Sequence, residues 1–87
     1  MLSEQARKDY LYFSRSGNKA VLNKIAVLLN DIAEHPYIGI GKPEALKYEL
    51  TGKWSRRINS EHRIVYSVHE DIIEVDILTM RYRYSKK

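Results

Sequence analysis

Cysteine is absent from the 87 residues, which excludes disulfides and cysteine metal sites and permits a reducing compartment. No apolar run approaches the ~18–20 residues that a membrane-crossing helix needs. The first residues show neither the basic segment nor the long apolar core of a secretion signal. A cytoplasmic protein without a membrane partner is expected. The three histidines are scattered without ligand spacing, so neither a metal nor a cofactor is expected. Repeats and low-complexity segments are also missing. What is present is 44% apolar content, too much for a disordered chain. This length makes one domain, residues 1–87, with a modest core.

The net charge is +4 and unevenly spread. Residues 1–41 hold five Lys/Arg against four Asp/Glu, and residues 42–87 hold ten against seven. The basic half also holds Tyr48, Trp54, Tyr66, Tyr82 and Tyr84. A basic face interleaved with aromatics suits an anionic polymer, RNA above all. A solvated surface that aids solubility is the plain alternative.

The periodicity predicts an α+β chain. Ser3 caps a first helix over about 4–14, with Ala6, Tyr10 and Phe13 as its apolar stripe. Ser16-Gly17-Asn18 breaks the chain, and Asn18 caps a second helix running to about His35, ahead of Pro36. Val21, Ile25, Leu28 and Ile32 form its buried stripe. Residues 36–47 read as a loop. The period then changes to two, predicting strands at 48–50, 53–58, 63–69 and 72–80 joined by short turns, an antiparallel meander. Alternation places Ile64, Tyr66, Val68, Ile73, Val75 and Ile77 against the helices. Arg57 and Arg63 then share the opposite, open face. Arg56 falls on the core side with Trp54 and Ile58, where it must snorkel at an edge or be re-aimed by a bulge. The expected architecture is an N-terminal helical hairpin on one face of a twisted antiparallel sheet.

Arg57 and Arg63 on that face, near a loop carrying Glu44 and Lys47, offer a phosphate site, because guanidinium groups bind phosphate bidentately and stay charged. A carboxylate beside them could take the proton of a ribose 2′-hydroxyl, and the oxygen could attack the adjacent phosphorus in line. The arginines would stabilise the added charge, and no metal is required. Arg56, Lys53 and Arg81 are further candidate RNA or phosphate contacts. The competing reading is ordinary surface ion pairing, worth ~0–1 kcal/mol per pair. His62 reads as a turn residue, His35 as a helix-end residue and His69 as a strand-end residue.

The stretches GKPEALK, LTGKWSRRI, EHRIVY and the final RYRY, in that order and spacing, resemble the YoeB toxins of the RelE superfamily over almost the whole chain. The resemblance implies a microbial-RNase-like fold and a ribosome-dependent mRNA endoribonuclease working in the 30S decoding site beside 16S rRNA. It also implies a homodimer and a YefM-like antitoxin whose acidic segment covers the basic face, with operator DNA bound only through that antitoxin. By motif, Glu44 becomes the general base, Arg63 the transition-state stabiliser and Arg57 a phosphate ligand helped by Lys47. Tyr84 takes the place of the family's terminal tyrosine, which helps position the nucleotide. The family has histidine just before that tyrosine, where this chain has Arg83. Arginine does not release its proton near neutral pH, so Arg83 offers charge stabilisation in place of general-acid catalysis, an effect worth roughly 10²–10⁴-fold. Weakened cleavage is expected, in a natural variant or an attenuated form. Two other functions fit the residues: a catalytically weak antitoxin partner and co-repressor, and a general RNA-binding domain. The family's first strand is almost absent here, so either the sheet loses an edge or the chain starts late.

Overall fold

The computed structural model describes residues 2–69 and 74–82. Two helices, α1 (Glu4–Arg15) and α2 (Lys19–Glu34), precede four strands: β1 (Glu44–Ala45), β2 (Trp54–Arg57), β3 (Arg63–His69) and β4 (Glu74–Tyr82). The strands pair antiparallel in the order β1-β2-β3-β4.

Both helices start where local chemistry directs. Ser3 Oγ accepts the Ala6 amide at 3.0 Å, with Glu4 at the positive end of α1 and Arg15 at its negative end. Asn18 Oδ1 accepts the Val21 amide at 3.1 Å and opens α2, which stops at Glu34 before Pro36. Val21, Ile25, Leu28 and Ile32 are buried as their spacing predicts. They meet Ile58, Ile64, Tyr66, Ile77 and Met80 of the sheet side in one core cluster, with Ala6 and Phe13 of α1. The stripe of α1 differs from expectation: Tyr10 is exposed, and Asp9 is buried in its place.

The strand expected at Tyr48–Leu50 is a 3-10 turn. Tyr48 is 87% exposed, so no burial holds an extended conformation there. The Leu50 amide donates to Lys47 at 3.1 Å and the Thr51 hydroxyl to the Tyr48 carbonyl at 2.7 Å, closing the turn. Pairing falls instead to Glu44 and Ala45, opposite Ser55 and Trp54. Near the N-terminus, Leu2 makes an isolated parallel bridge to Ile77, and the Ser3 amide donates to the Ile77 carbonyl at 2.9 Å. The turn at Glu70-Asp71, the strand start at Ile72, the core roles of Ile73 and Val75, and Arg83, Tyr84 and Ser85-Lys86-Lys87 lie outside what is described.

β4 departs from simple alternation. Between Tyr66 and Arg63, β3 advances three residues, while their partners Ile77 and Tyr82 are five apart. Two extra residues are thus bulged out on β4 around Thr79. This is why Ile77 and Met80, an odd number of residues apart, are both buried in the core.

Candidate active site

β1 and β3 flank β2, and their register builds the site. Glu44 pairs with Ser55, and Arg57 pairs with Arg63. The carboxylate of Glu44 reaches across β2 and accepts a hydrogen bond from Arg63 Nη1 at 2.8 Å. The same nitrogen donates to Ser55 Oγ at 3.1 Å. The two side chains differ in exposure, 48% for Glu44 and 8% for Arg63. The carboxylate faces solvent and the guanidinium lies beneath it. Arg63, Val65 and Ser55 are all buried, so the sheet face expected to be open and basic is closed at its centre. Arg57 keeps the exposure expected of it.

Lys47 is exposed at the entrance to the 3-10 turn, and Lys53 is partly buried where the chain leaves it. The structure brings together Glu44, Arg63 and, on the neighbouring strand, Arg57. Arg81 is directed elsewhere: its guanidinium carbon lies 3.6 Å from the centre of the Tyr12 ring, a cation–π contact on the helix side of the fold. A cleft of about 550 Å³ opens there, lined by Gln5, Asp9, Tyr12, Glu61, His62, Thr79 and Arg81.

Arg56 is corrected outright. It is fully buried, at 0% exposure, and contacts no solvent where RNA could bind. Its Nε donates to Tyr66 Oη at 3.1 Å, Nη1 to Asp31 Oδ2 at 2.6 Å and to the Ile40 carbonyl at 2.9 Å, and Nη2 to the carbonyls of His35 and, at 2.9 Å, of Ile38. All five of its N–H donors are therefore used. It neither snorkels nor sits at a bulge, because the loop after α2 folds its carbonyls around the side chain. Tyr66 Oη continues the network by donating to the Pro36 carbonyl at 2.5 Å.

This network shapes the approach to Glu44. Asp31 Oδ2 also accepts the Ile40 amide at 3.2 Å. A Cβ on Gly41, at φ +78°, would lie 2.7 Å from Leu28 Cδ2 and 3.2 Å from the Arg57 carbonyl oxygen. Only glycine lets the chain pass that closely, and the Arg57 amide then donates to the Gly41 carbonyl at 2.6 Å. Three residues later comes Glu44. The hydrogen bond from Arg56 holds the Asp31 carboxyl below the usual carboxylate range against the opposing effect of burial, with help from the Ile40 amide. Burial raises the Tyr66 phenol above its ordinary value, although the bond from Arg56 pulls the other way.

Sequence reasoning missed Asp31 and Asp9. A signal for Asp31 existed: alternation puts Arg56 on the core side, and a buried guanidinium requires an acid from a packed element. Asp31 is the acid flanked by the core positions Leu28 and Ile32. The histidines stay outside the site. His62 packs edge-on against Phe13 at 5.2 Å, in a turn where Asn59 Oδ1 accepts the Glu61 and His62 amides at 2.8 Å. His69 meets Asp76 at 2.8 Å on the surface, a partner beyond the plain strand-end role expected. Trp54 sits partly buried against the core with its ring 5.0 Å from that of Tyr37. Among the described residues no cluster of three or more His, Cys, Asp or Glu could hold a metal ion. No helix among them is long and apolar enough to cross a membrane.

The fold places the molecule among small toxins of toxin–antitoxin systems. It matches a YoeB–YefM complex from Staphylococcus aureus at a TM-score of 0.82 and 46% identity, covering 97% of this chain and 94% of that one. It matches a YoeB dimer from the same organism at a TM-score of 0.83 and 45% identity, with the same coverage. Toxin YoeB from Synechocystis sp. is 45% identical over 85 residues, which is 97% of this chain and 94% of the relative. Residues 2–84 match the family described as YoeB-like toxin of bacterial type II toxin-antitoxin system. The chain belongs to that family.

Proposed function

We propose that this toxin is a ribosome-dependent mRNA endoribonuclease. The observation that carries the reading is the half-exposed Glu44 carboxylate held 2.8 Å from Arg63. In the reaction, Glu44 removes the proton of a ribose 2′-hydroxyl, and O2′ attacks the adjacent phosphorus. The P–O5′ bond breaks, leaving a 2′,3′-cyclic phosphate upstream. Arg63 turns a donor to the phosphoryl oxygens, and Arg57 binds the same phosphate from the next strand. Lys47 and Lys53 supply further positive charge along the RNA, Arg81 contacts it only outside the Glu44–Arg63 pair, and Tyr84 stacks or positions the nucleotide. Arg83 stabilises charge on the departing O5′, which takes its proton from water. YoeB proteins from Staphylococcus aureus form a complex with YefM and a dimer, which supports a YefM-like antitoxin as partner, with a dimer of this chain. The ribosome's decoding site and a cytoplasmic location belong to the same reading.

Primer extension on message bound to translating ribosomes tests it. The native chain is expected to give codon-phased cuts, Glu44→Ala none, and Arg83→His cuts at a rate raised by roughly tenfold or more. Equal rates for the native chain and Arg83→His would remove the general-acid argument. No cutting by either would remove the enzyme.

One observation favours a second reading, an antitoxin partner and co-repressor with weak catalysis. The Arg63 side chain is 8% exposed and engaged with Glu44 and Ser55, so binding phosphate requires it to move. That reading predicts a tight complex with an acidic partner segment and no growth arrest on induction.

A further inference from the structure

Asp9 is a buried carboxylate, and nothing in the proposed chemistry uses it. Its Oδ2 accepts the Thr79 hydroxyl at 2.5 Å and the Met80 amide at 3.0 Å, and its Oδ1 accepts Gln5 Nε2 at 2.9 Å. Thr79 and Met80 lie in the part of β4 where the two extra residues are bulged out. A bulge frees a strand amide from its ladder, and a buried amide without a partner is costly. Asp9 supplies that partner from α1. One turn along the same helix, Tyr12 receives Arg81 on its ring face. The helix therefore grips three consecutive residues of β4, immediately before Tyr82.

The consequence is one of register. Counting on from the regular pairs His69↔Glu74, Val68↔Val75, Ser67↔Asp76 and Tyr66↔Ile77, an unbulged strand would set Met80 opposite Arg63. In the structure Tyr82 stands there. The bulges thus move the strand by two residues, about 7 Å of extended chain, beside the arginine that the Glu44 carboxylate touches. Beyond the two bulges an even slip preserves the face each side chain takes, so Tyr82 would keep its face in either register, whereas Met80, buried between the bulges, would leave the core in an unbulged strand.

We propose that Asp9 is a positioning residue that holds the bulge and so fixes Tyr82 opposite Arg63. Arg83 and Tyr84 follow Tyr82 directly in the sequence. The link to activity rests on the reading of Glu44 and Arg63 as an RNA-cleaving pair; the register claim does not. The lowered pKa of Asp9 agrees with the geometry: burial opposes its charge, but the bonds from Thr79, Met80 and Gln5 outweigh it.

Two variants of the full chain test the proposal, Asp9→Asn and Thr79→Val. Asparagine keeps the size of Asp9 but replaces one acceptor oxygen by a donor amide. Cross-strand proton contacts in NMR spectra report the register, and single-turnover cutting on programmed ribosomes reports the positioning. Asp9→Asn is expected to lose the Arg63–Tyr82 contact and to lower the cutting rate roughly tenfold or more, with apparent ribosome affinity changed less than about twofold. Thr79→Val, which keeps the carboxylate and the Met80 amide, shows a smaller change in the same direction, and it carries both readouts if Asp9→Asn does not fold. An unchanged Arg63–Tyr82 contact in a folded variant overturns the latch. A moved contact with undiminished cutting overturns the positioning role. If the native chain does not cut, the cleavage reading fails by itself and the NMR contact alone decides the latch.

Discussion

Arg56 donates all five of its N–H groups inside the protein, while Arg57, next in the chain, is exposed. Strand alternation separates them, so chemically identical neighbours take on different tasks. Breaking a buried, fully bonded ion pair leaves an uncompensated charge or several unpaired carbonyls. Arg56→Ala should therefore cost roughly 3 kcal/mol or more in urea unfolding. Arg57→Ala should stay within about 0.5 kcal/mol, yet lose cutting of ribosome-bound message. Equal destabilisation by the two would contradict this division. The facing of both arginines was legible in the sequence, since period two decides it. The escape expected for Arg56, at an edge or a bulge, was wrong because three of its five acceptors are backbone carbonyls of residues 35–40, beside the Asp31 carboxylate and the Tyr66 hydroxyl. Carbonyl positions in a loop leave no pattern in the side chains.

Elements were legible in proportion to how local their causes are. Ser3 and Asn18 start the helices through hydrogen bonds spanning three residues, and β3 ran from Arg63 to His69 as its alternation predicted. The 3-10 turn at Tyr48–Leu50 imitates a strand because three residues are too few to show a period. The bulges of β4 were invisible, since they depend on Asp9 about seventy positions away. Their dependence on a carboxylate gives a pH prediction. The folded pKa values of Asp9 and Asp31 both lie below their ordinary ones. Each carboxylate therefore contributes stability that is fully present above about pH 4, the ordinary aspartate range, and lost as pH falls through the depressed folded value. Urea midpoints should drop on acidification below about pH 4. Asp9→Asn, already destabilised at neutral pH, should show a shallower acid dependence than the native chain. Parallel curves for the two would assign the acid sensitivity to other groups.

At the scale of the molecule, the fold turns one sheet face into core and closes the centre of the other around Arg63. Glu44 and Arg57 are exposed beside it. The chain carries a net charge of +4, which suits an acidic antitoxin segment as well as RNA, so charge alone does not separate the two partners. The proposed cleavage at the Glu44–Arg63 pair is what would separate them. The most direct measurement is the structure of the RNA ends released when the native chain, Glu44→Ala and Arg63→Ala each act on ribosome-bound message. The native chain should leave an upstream fragment ending in a 2′,3′-cyclic phosphate and a downstream fragment with a free 5′-hydroxyl, and both variants should leave intact message. Message cut equally well without Glu44, or a 5′-phosphate on the downstream fragment, would contradict the proposed chemistry.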